Sequence, residues 1–343
     1  MWNTTTYEEK LGEKLKEQFG KERGEELYTQ YTTARNTLVA DNFFSEIKAK
    51  EANLTDHSER HICDVLNNVE KLLGEQIEMF TGIELYCLAL VVLFHDVGNI
   101  EGRDGHNLNI ADTYNFVRKK EPRYNHERAV VIKAAQAHCG KAKDGGRDTL
   151  KDLDEVGNLE GEKIAFRDIA AILRFADELA EGNQRTSNFM IERHKYAEKS
   201  EIFHLYAQMT EVFIDRQGGR IVLTYNIDID SAQHNAESLK KLLEFIYVRI
   251  IKLDEERRYA KYYCDILVPF KKTSIQFNFS KDGLPTNLDI GKIEIHDRFP
   301  VPGEMDPDLE SFQNRFKELK IDDLLGSLFE KETIKTIEDG KTA

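Results

Sequence analysis

The sequence has no surplus of basic residues: 48 Lys and Arg stand against 62 Asp and Glu, a formal net charge of −14. A protein whose main task is to grip duplex nucleic acid usually carries the opposite balance, because its cations replace the counterions of the phosphate backbone. A small anionic substrate stays open, since a bound metal can reverse the local field whatever the global charge. Cysteine is scarce and scattered. Cys63, Cys87, Cys139 and Cys264 form no CxxC and no paired spacing, so neither a thiolate metal cluster nor a disulfide framework is expected. Long apolar runs are also missing. The most apolar stretch, Leu85 to Phe94, is about half of the ~20 residues that a membrane span requires, and it reads as a buried core helix. The start, MWNTTTYEEK, lacks the basic flank and apolar core of a signal peptide, so a cytosolic protein with no membrane partner is expected.

What is present is a soluble-protein composition, 40% hydrophobic and 32% charged, on a chain of 343 residues. Residues 1–56 read as a charged helical lead-in, with Gly20 and Gly24 as breaks. Across 57–200 apolar residues recur at helical spacing: Val65, Val69 and Leu72; Leu88, Val91 and Val92; Val131, Ala134 and Ala135; Ile169, Leu173 and Ala176. Between the last two sets, residues 141–163 are rich in Gly and Asp without apolar period and predict a loop or lid. From about residue 201 the pattern becomes that of a smaller α+β module, ββαββ, ending near residue 300. Its strands are read in EIFHLYAQMTEVFID and RIVLTYNIDID around Gln217-Gly218-Gly219, then in 273–280 and 288–296. The intervening amphipathic helix, 237–264, is a packing element. The segment 298–308 holds three of the six prolines and predicts a linker within 301–343 to a final short helix.

Polar residues interrupt the apolar stripes at telling places. His61, His95, His138 and Asp177 each fall on the apolar face of a different predicted helix, so four helices point a metal-capable side chain toward one interior. Taken singly, a histidine on such a face is most often a hydrogen-bonded core residue. Taken together with a carboxylate, which is costly to bury unless it is paired or bound to a cation, the four suggest a shared divalent ion.

The order His61…His95-Asp96…Asp177, with its flanks RHICDVL, LVVLFHDVGN and ILRFADELAEG, resembles the HD superfamily of metal-dependent phosphohydrolases over roughly residues 57–190. His106 and His138 resemble the extra histidines of its two-metal members. The resemblance implies a first metal on His61, His95, Asp96 and Asp177, and a second on His106 and His138, with Asp96 bridging. His57, one turn before His61, rivals it for the first position; His61 is preferred because Val65, four places later, matches the family pattern. His and carboxylate donors suit Mn, Fe, Co, Ni or Zn, and Mg where oxygen and water ligands dominate. One or two such ions would activate a water without a Ser–His or Cys–His nucleophile, with His95 and Asp96 as the residues that carry catalysis.

Arg103, Lys141 and Arg185 are the cationic candidates for substrate phosphates, each also readable as ordinary surface charge. Arg174 reads as an intrahelical ion pair with Asp177, three residues on, and Glu178 as solvated. His126 reads as exposed; His194, His204, His234 and His296 carry no ligand spacing. The expected activity is hydrolysis of a phosphate ester in a nucleotide or short oligonucleotide. An HD-fold di-iron oxygenase would use the same six ligands, and a silent HD module used for signalling or assembly would lack one of them. A nuclease on single strands would need a basic, aromatic-lined groove, which no stretch supplies. The ββαββ module is left as a dimer interface, a lid or a sensor, so a second copy of the chain or a further domain is an open partner.

Overall fold

A computed structural model describes residues 2–40, 43–50, 58–187, 198–232, 234–297 and 308–329. In chain order the first helices are α1 (Thr6–Ala40), α2 (Phe43–Lys50), α3 (Glu59–Leu73), α4 (Gly82–Phe94), α5 (Ile110–Val117) and α6 (Asn125–Gln136). A hairpin of β1 (Gly157–Leu159) and β2 (Glu162–Ile164) follows, then α7 (Phe166–Glu178) and α8 (Glu198–Met209). Strands β3 (Thr210–Asp215) and β4 (Arg220–Ile229) lead into the long α9 (Ala236–Tyr263). The chain continues through β5 (Lys272–Lys281), β6 (Leu284–Pro285), β7 (Ile293–His296), α10 (Leu309–Arg315) and α11 (Ile321–Phe329). The protein is mainly α with a small α+β module.

Local chemistry explains where the central helix begins. Thr81 and Glu84 form a reciprocal capping box, which satisfies two of the amide donors left over at a helix start. Every residue of α4 except Glu84 is buried, so beyond its first turn the helix is apolar all round and not on one stripe only. Around it pack α1, α3, α6 and α7. Helix α1 contributes Tyr7, Leu11, Leu15, Leu27 and Tyr31 to the same core. Of the two expected breaks in it, Gly20 is one, kinking the helix at φ 77° and ψ 170°. Gly24 is not; it is buried where the chain crosses itself, and a Cβ there would lie 2.7 Å from the Leu15 carbonyl oxygen.

The segment 141–163 is a loop ending in the β1–β2 hairpin, and it is tied down more firmly than a free lid. Leu150, Leu153 and Leu159 are buried, Thr149 Oγ1 donates to the Ala137 carbonyl at 2.6 Å, and the Leu150 amide donates to Tyr259 Oη on α9 at 2.9 Å. Its turns at 143–147, 154–156 and 160–163 are exposed.

In the α+β module β3 and β4 pair antiparallel, while β4 and β5 pair in parallel from Arg220↔Lys272 to Ile229↔Lys281. A parallel neighbour needs a crossover, and α9 supplies it. The far edge of β5 takes β7 at one end and β6 at the other, both antiparallel. Ile221, Leu223, Tyr225, Ile275 and Phe277 turn inward, and the ring of Tyr247 on α9 meets Phe277 at 6.1 Å. The sequence expectation was wrong at 201–209, which continues α8 and is not strand. Phe203 and Tyr206, one helical turn apart, both pack edge-on against Phe245 of α9. The last strand is shorter than expected, starting at Ile293, and two short helices stand where one was expected. The proline-rich linker lies outside the described residues apart from Asp308.

The segment Gly82–Glu101 is long and apolar enough to cross a membrane by length and composition, but it is mostly buried inside the protein.

Candidate metal centre

Three helices bring four side chains to one point. His61 sits in the first turn of α3, which starts at Ser58, whose side chain caps the Arg60 amide. His95 closes α4, Asp96 follows it outside helical geometry (φ −105°, ψ 2°), and Asp177 lies in the last turn of α7. His61 Nε2 is 3.1 Å from Asp177 Oδ1 and 3.6 Å from Asp96 Oδ2. His95 Nε2 is 3.4 Å from the same Asp96 oxygen and 3.5 Å from Asp177 Oδ1.

The other oxygen of Asp96 faces a second group. Asp96 Oδ1 lies 3.2 Å from His106 Nε2 and 3.7 Å from His138 Nε2, and those two nitrogens are 3.2 Å apart. His106 opens a one-turn 3-10 segment, His106–Leu108, ahead of α5, and His138 follows the end of α6. Two features hold these pieces together. Gly98 leaves room for the turn: a Cβ at that position would meet the His106 carbonyl oxygen at 1.8 Å. Asn107 Nδ2 donates to the carbonyls of Gln136 and Cys139, at 3.2 and 3.3 Å, which fastens one histidine-bearing turn to the other.

The imidazoles are oriented by their far nitrogens. Nδ1 of His95 contacts the Val92 carbonyl at 2.7 Å, Nδ1 of His106 the Arg103 carbonyl at 3.0 Å, and Nδ1 of His138 the Ala135 carbonyl at 2.6 Å. A carbonyl can only accept, so each Nδ1 carries hydrogen and each Nε2 of the neutral ring keeps its lone pair for the centre. Nε2 of His95 is fully buried and faces the carboxylates of Asp96 and Asp177.

This donor set fits divalent ions. His61, His95, Asp96 and Asp177 offer donor atoms within 4.8 Å of one another, and so, as a second group, do His106, His138 and Cys139. Without an ion, two carboxylates sit among four buried imidazoles. Burial opposes the charged form of His95, but Asp96 and Asp177 outweigh it and hold the ring well above its usual value. Burial likewise pushes the Asp177 carboxyl up, but hydrogen bonds from His61 and His95 win and hold it well below the usual carboxylate range. Entering metal ions would displace those protons. Cys139, whose Sγ is 3.6 Å from His106 Nε2, is the residue that the sequence reading passed over. Burial raises its thiol, yet hydrogen bonds with His106 and His138 bring it down to about 6. Its adjacency to His138 was the available signal; a search for paired cysteines does not register it.

The remaining expectations divide. Arg103 and Lys141 are exposed, and Arg103 meets the centre through its backbone carbonyl. Arg185 is not a surface charge. It is buried, donates to the Ala180 carbonyl at 3.0 Å, and acts with His61 against the burial that pushes up the Asp64 carboxyl, one turn beyond His61. Arg174 does not pair with Asp177. Its guanidinium grips Glu256 of α9 through two hydrogen bonds of 2.6 Å and also reaches Thr149 Oγ1 and the Ala137 carbonyl, beside His138. Glu178 is not solvated; Arg249 and Lys252 of α9 bind it at 2.9 and 2.8 Å. His126 is exposed, as expected, and its Nε2 bonds the Asn158 carbonyl of the hairpin. His204 is buried beside Thr186, His234 accepts from the Asp230 amide and His296 pairs with Glu294, all apart from the centre. His57 and His194 lie outside the described residues.

Comparison with curated proteins and with solved structures returns no match. The family pattern described as HD-CE does match, over residues 51–252, which is more than half of the chain and spans the whole of the His/Asp cluster. It also runs beyond the helices into β3, β4 and the first part of α9. With the HD-type ligands assembled around Asp96 and this match over most of the described helices, the chain belongs to the HD-CE family.

Proposed function

We propose that the protein is a metal-dependent phosphohydrolase acting on a nucleotide or short oligonucleotide. The observation that carries this reading is Asp96, whose two oxygens face two different pairs of imidazoles. A carboxylate so placed is suited to hold two ions at a short spacing. Ions held there supply Lewis-acid activation of a water and of phosphoryl oxygens. The chain's own residues do the rest. His61, His95, Asp96 and Asp177 would hold the first position; His106 and His138 would hold the second, with their tautomers fixed from behind. The buried surroundings exclude bulk water, which strengthens every electrostatic interaction in the centre.

Access is uneven. The side chain of Asp177 is 26% exposed, whereas those of His61, His95 and Asp96 are at most 6%. A substrate phosphate would therefore approach from the Asp177 side, with exposed Arg103 and Lys141 as candidates to meet its outer charge. The test is a hydrolysis screen over mononucleotides, cyclic and short oligonucleotides, with Mg, Mn, Co and Ni supplied separately to metal-free protein. Release of phosphate or of a nucleoside monophosphate with one of these ions supports the reading. Iron-dependent oxygen uptake without hydrolysis would replace it with the oxygenase alternative.

A further inference from the structure

We propose that Cys139 is a thiolate ligand of the second metal position, so that His106, His138, Cys139 and Asp96 together form a mixed site that takes a borderline ion such as Zn(II), Fe(II) or Co(II) and rejects Mg(II). The proposal rests on the metal-centre reading above and adds to it a donor of a different chemical kind.

Spacing is the first argument. Nitrogen, oxygen and sulfur donors at their usual distances from a tetrahedral ion, about 2.0–2.3 Å, lie roughly 3.3–3.6 Å from one another. Here His106 Nε2 is 3.2 Å from His138 Nε2, 3.2 Å from Asp96 Oδ1 and 3.6 Å from Cys139 Sγ, and His138 Nε2 is 3.7 Å from Asp96 Oδ1. His106 thus stands at the separation that a common ion imposes from each of the other three donors, and His138, Cys139 and His106 offer donor atoms within 4.8 Å of one another.

The backbone is the second argument. Cys139 and His138 are presented by the same turn after α6, and Gly140, with φ 86°, bends the chain away directly behind them. The Asn107 amide that bonds the Cys139 carbonyl ties this turn to the one bearing His106. The other cysteines have no such company: Cys87 and Cys264 are buried, and none of the three belongs to a cluster of metal-capable groups among the described residues. A bare thiol–imidazole hydrogen bond would explain one distance, not the convergence of His138 and Asp96 on the same point. Chemistry then fixes the class of ion, because a thiolate favours softer metals and contributes little to Mg(II).

The experiment uses the full chain, freed of metal by chelation and dialysis, then titrated with Co(II) alone while absorbance and bound cobalt are followed. Two equivalents should bind, and a near-ultraviolet sulfur-to-cobalt charge-transfer band should grow with them. The band should be lost in Cys139→Ser and kept in Cys63→Ser. In parallel, iodoacetamide labelling read by peptide mass spectrometry should show Cys139 shielded by Co(II) or Zn(II) and left open by Mg(II). Cobalt binding with no charge-transfer band, or a band that survives Cys139→Ser, overturns the thiolate ligand while leaving the metal centre standing. A protein that binds no cobalt removes both. Should Cys139→Ser fail to fold, the labelling of the wild-type chain decides, and equal alkylation with and without cobalt overturns the proposal.

Discussion

A carboxylate set between two pairs of imidazoles cannot be replaced by its amide without changing what the centre can hold. Asp96→Asn keeps size and shape but halves the number of good donor oxygens and removes the charge. It should abolish turnover while leaving a cooperative thermal transition, and His95→Ala should do the same. Retention of more than about a tenth of wild-type rate, a barrier change of only ~1.4 kcal/mol, would show that the roles assigned to them are wrong. His106→Ala and His138→Ala separate one ion from two: bound metal should fall from about two equivalents to about one, with weakened activity. Full occupancy in both variants would leave a mononuclear centre and make His138 a core residue. His61, His95, His138 and Asp177 were legible because a polar side chain on an apolar stripe is anomalous within its own helix, whereas Asp96 and His106 were reached through the family resemblance. Cys139 was not legible, since cysteine is at home in a core and its partner His106 lies 33 residues earlier. Arg174 and Glu178 were misread for a related reason. Helical spacing offers local partners, whereas their real ones, on α9, are 82 and 71 residues away.

At the level of elements, the approach of His106 to His138 depends on two turns meeting, not on a helix face. Gly98 allows the meeting, and Gly98→Ala should therefore push the His106 turn outward. The expected result is loss of roughly 1–3 kcal/mol of stability, measured by denaturant melts, together with selective loss of one metal equivalent. If bound metal is unchanged, the close approach of Gly98 to His106 has no bearing on the site. Helix α9 braces the end of α7, which carries Asp177. Arg249 binds both Glu178 and Glu181 just past Asp177, and Arg249→Ala leaves Glu178 only the half-exposed Lys252. That substitution should cost about 1–3 kcal/mol and raise the metal concentration needed for half-saturation; unchanged metal affinity would confine Arg249 to ordinary packing. The α+β pattern itself was readable from strand alternation and glycine turns. What alternation could not show is that β4 and β5 run parallel, or that the aromatic run at 201–209 is helical, because both follow from where α9 lies.

For the whole molecule the deciding quantity is charge. With −14 spread over 343 residues, a compact anion need only be neutralised by the metal ions and a few local cations. A long duplex would instead bring many phosphates against an acidic surface, adding repulsion without adding contacts. Short nucleotides should therefore be hydrolysed in preference to polymers, and duplex DNA should be a poor inhibitor of their turnover at moderate salt. Competition measures this directly, with a small nucleotide as substrate and duplex as inhibitor across a range of salt. Weak inhibition that barely changes with salt fits a centre reserved for small substrates. Strong inhibition that fades steeply as salt rises would mean that the chain releases counterions from a polymer as it binds. In that case the basic groups responsible would have to be sought on a face that the overall charge conceals, and the small-substrate reading would give way to a nuclease.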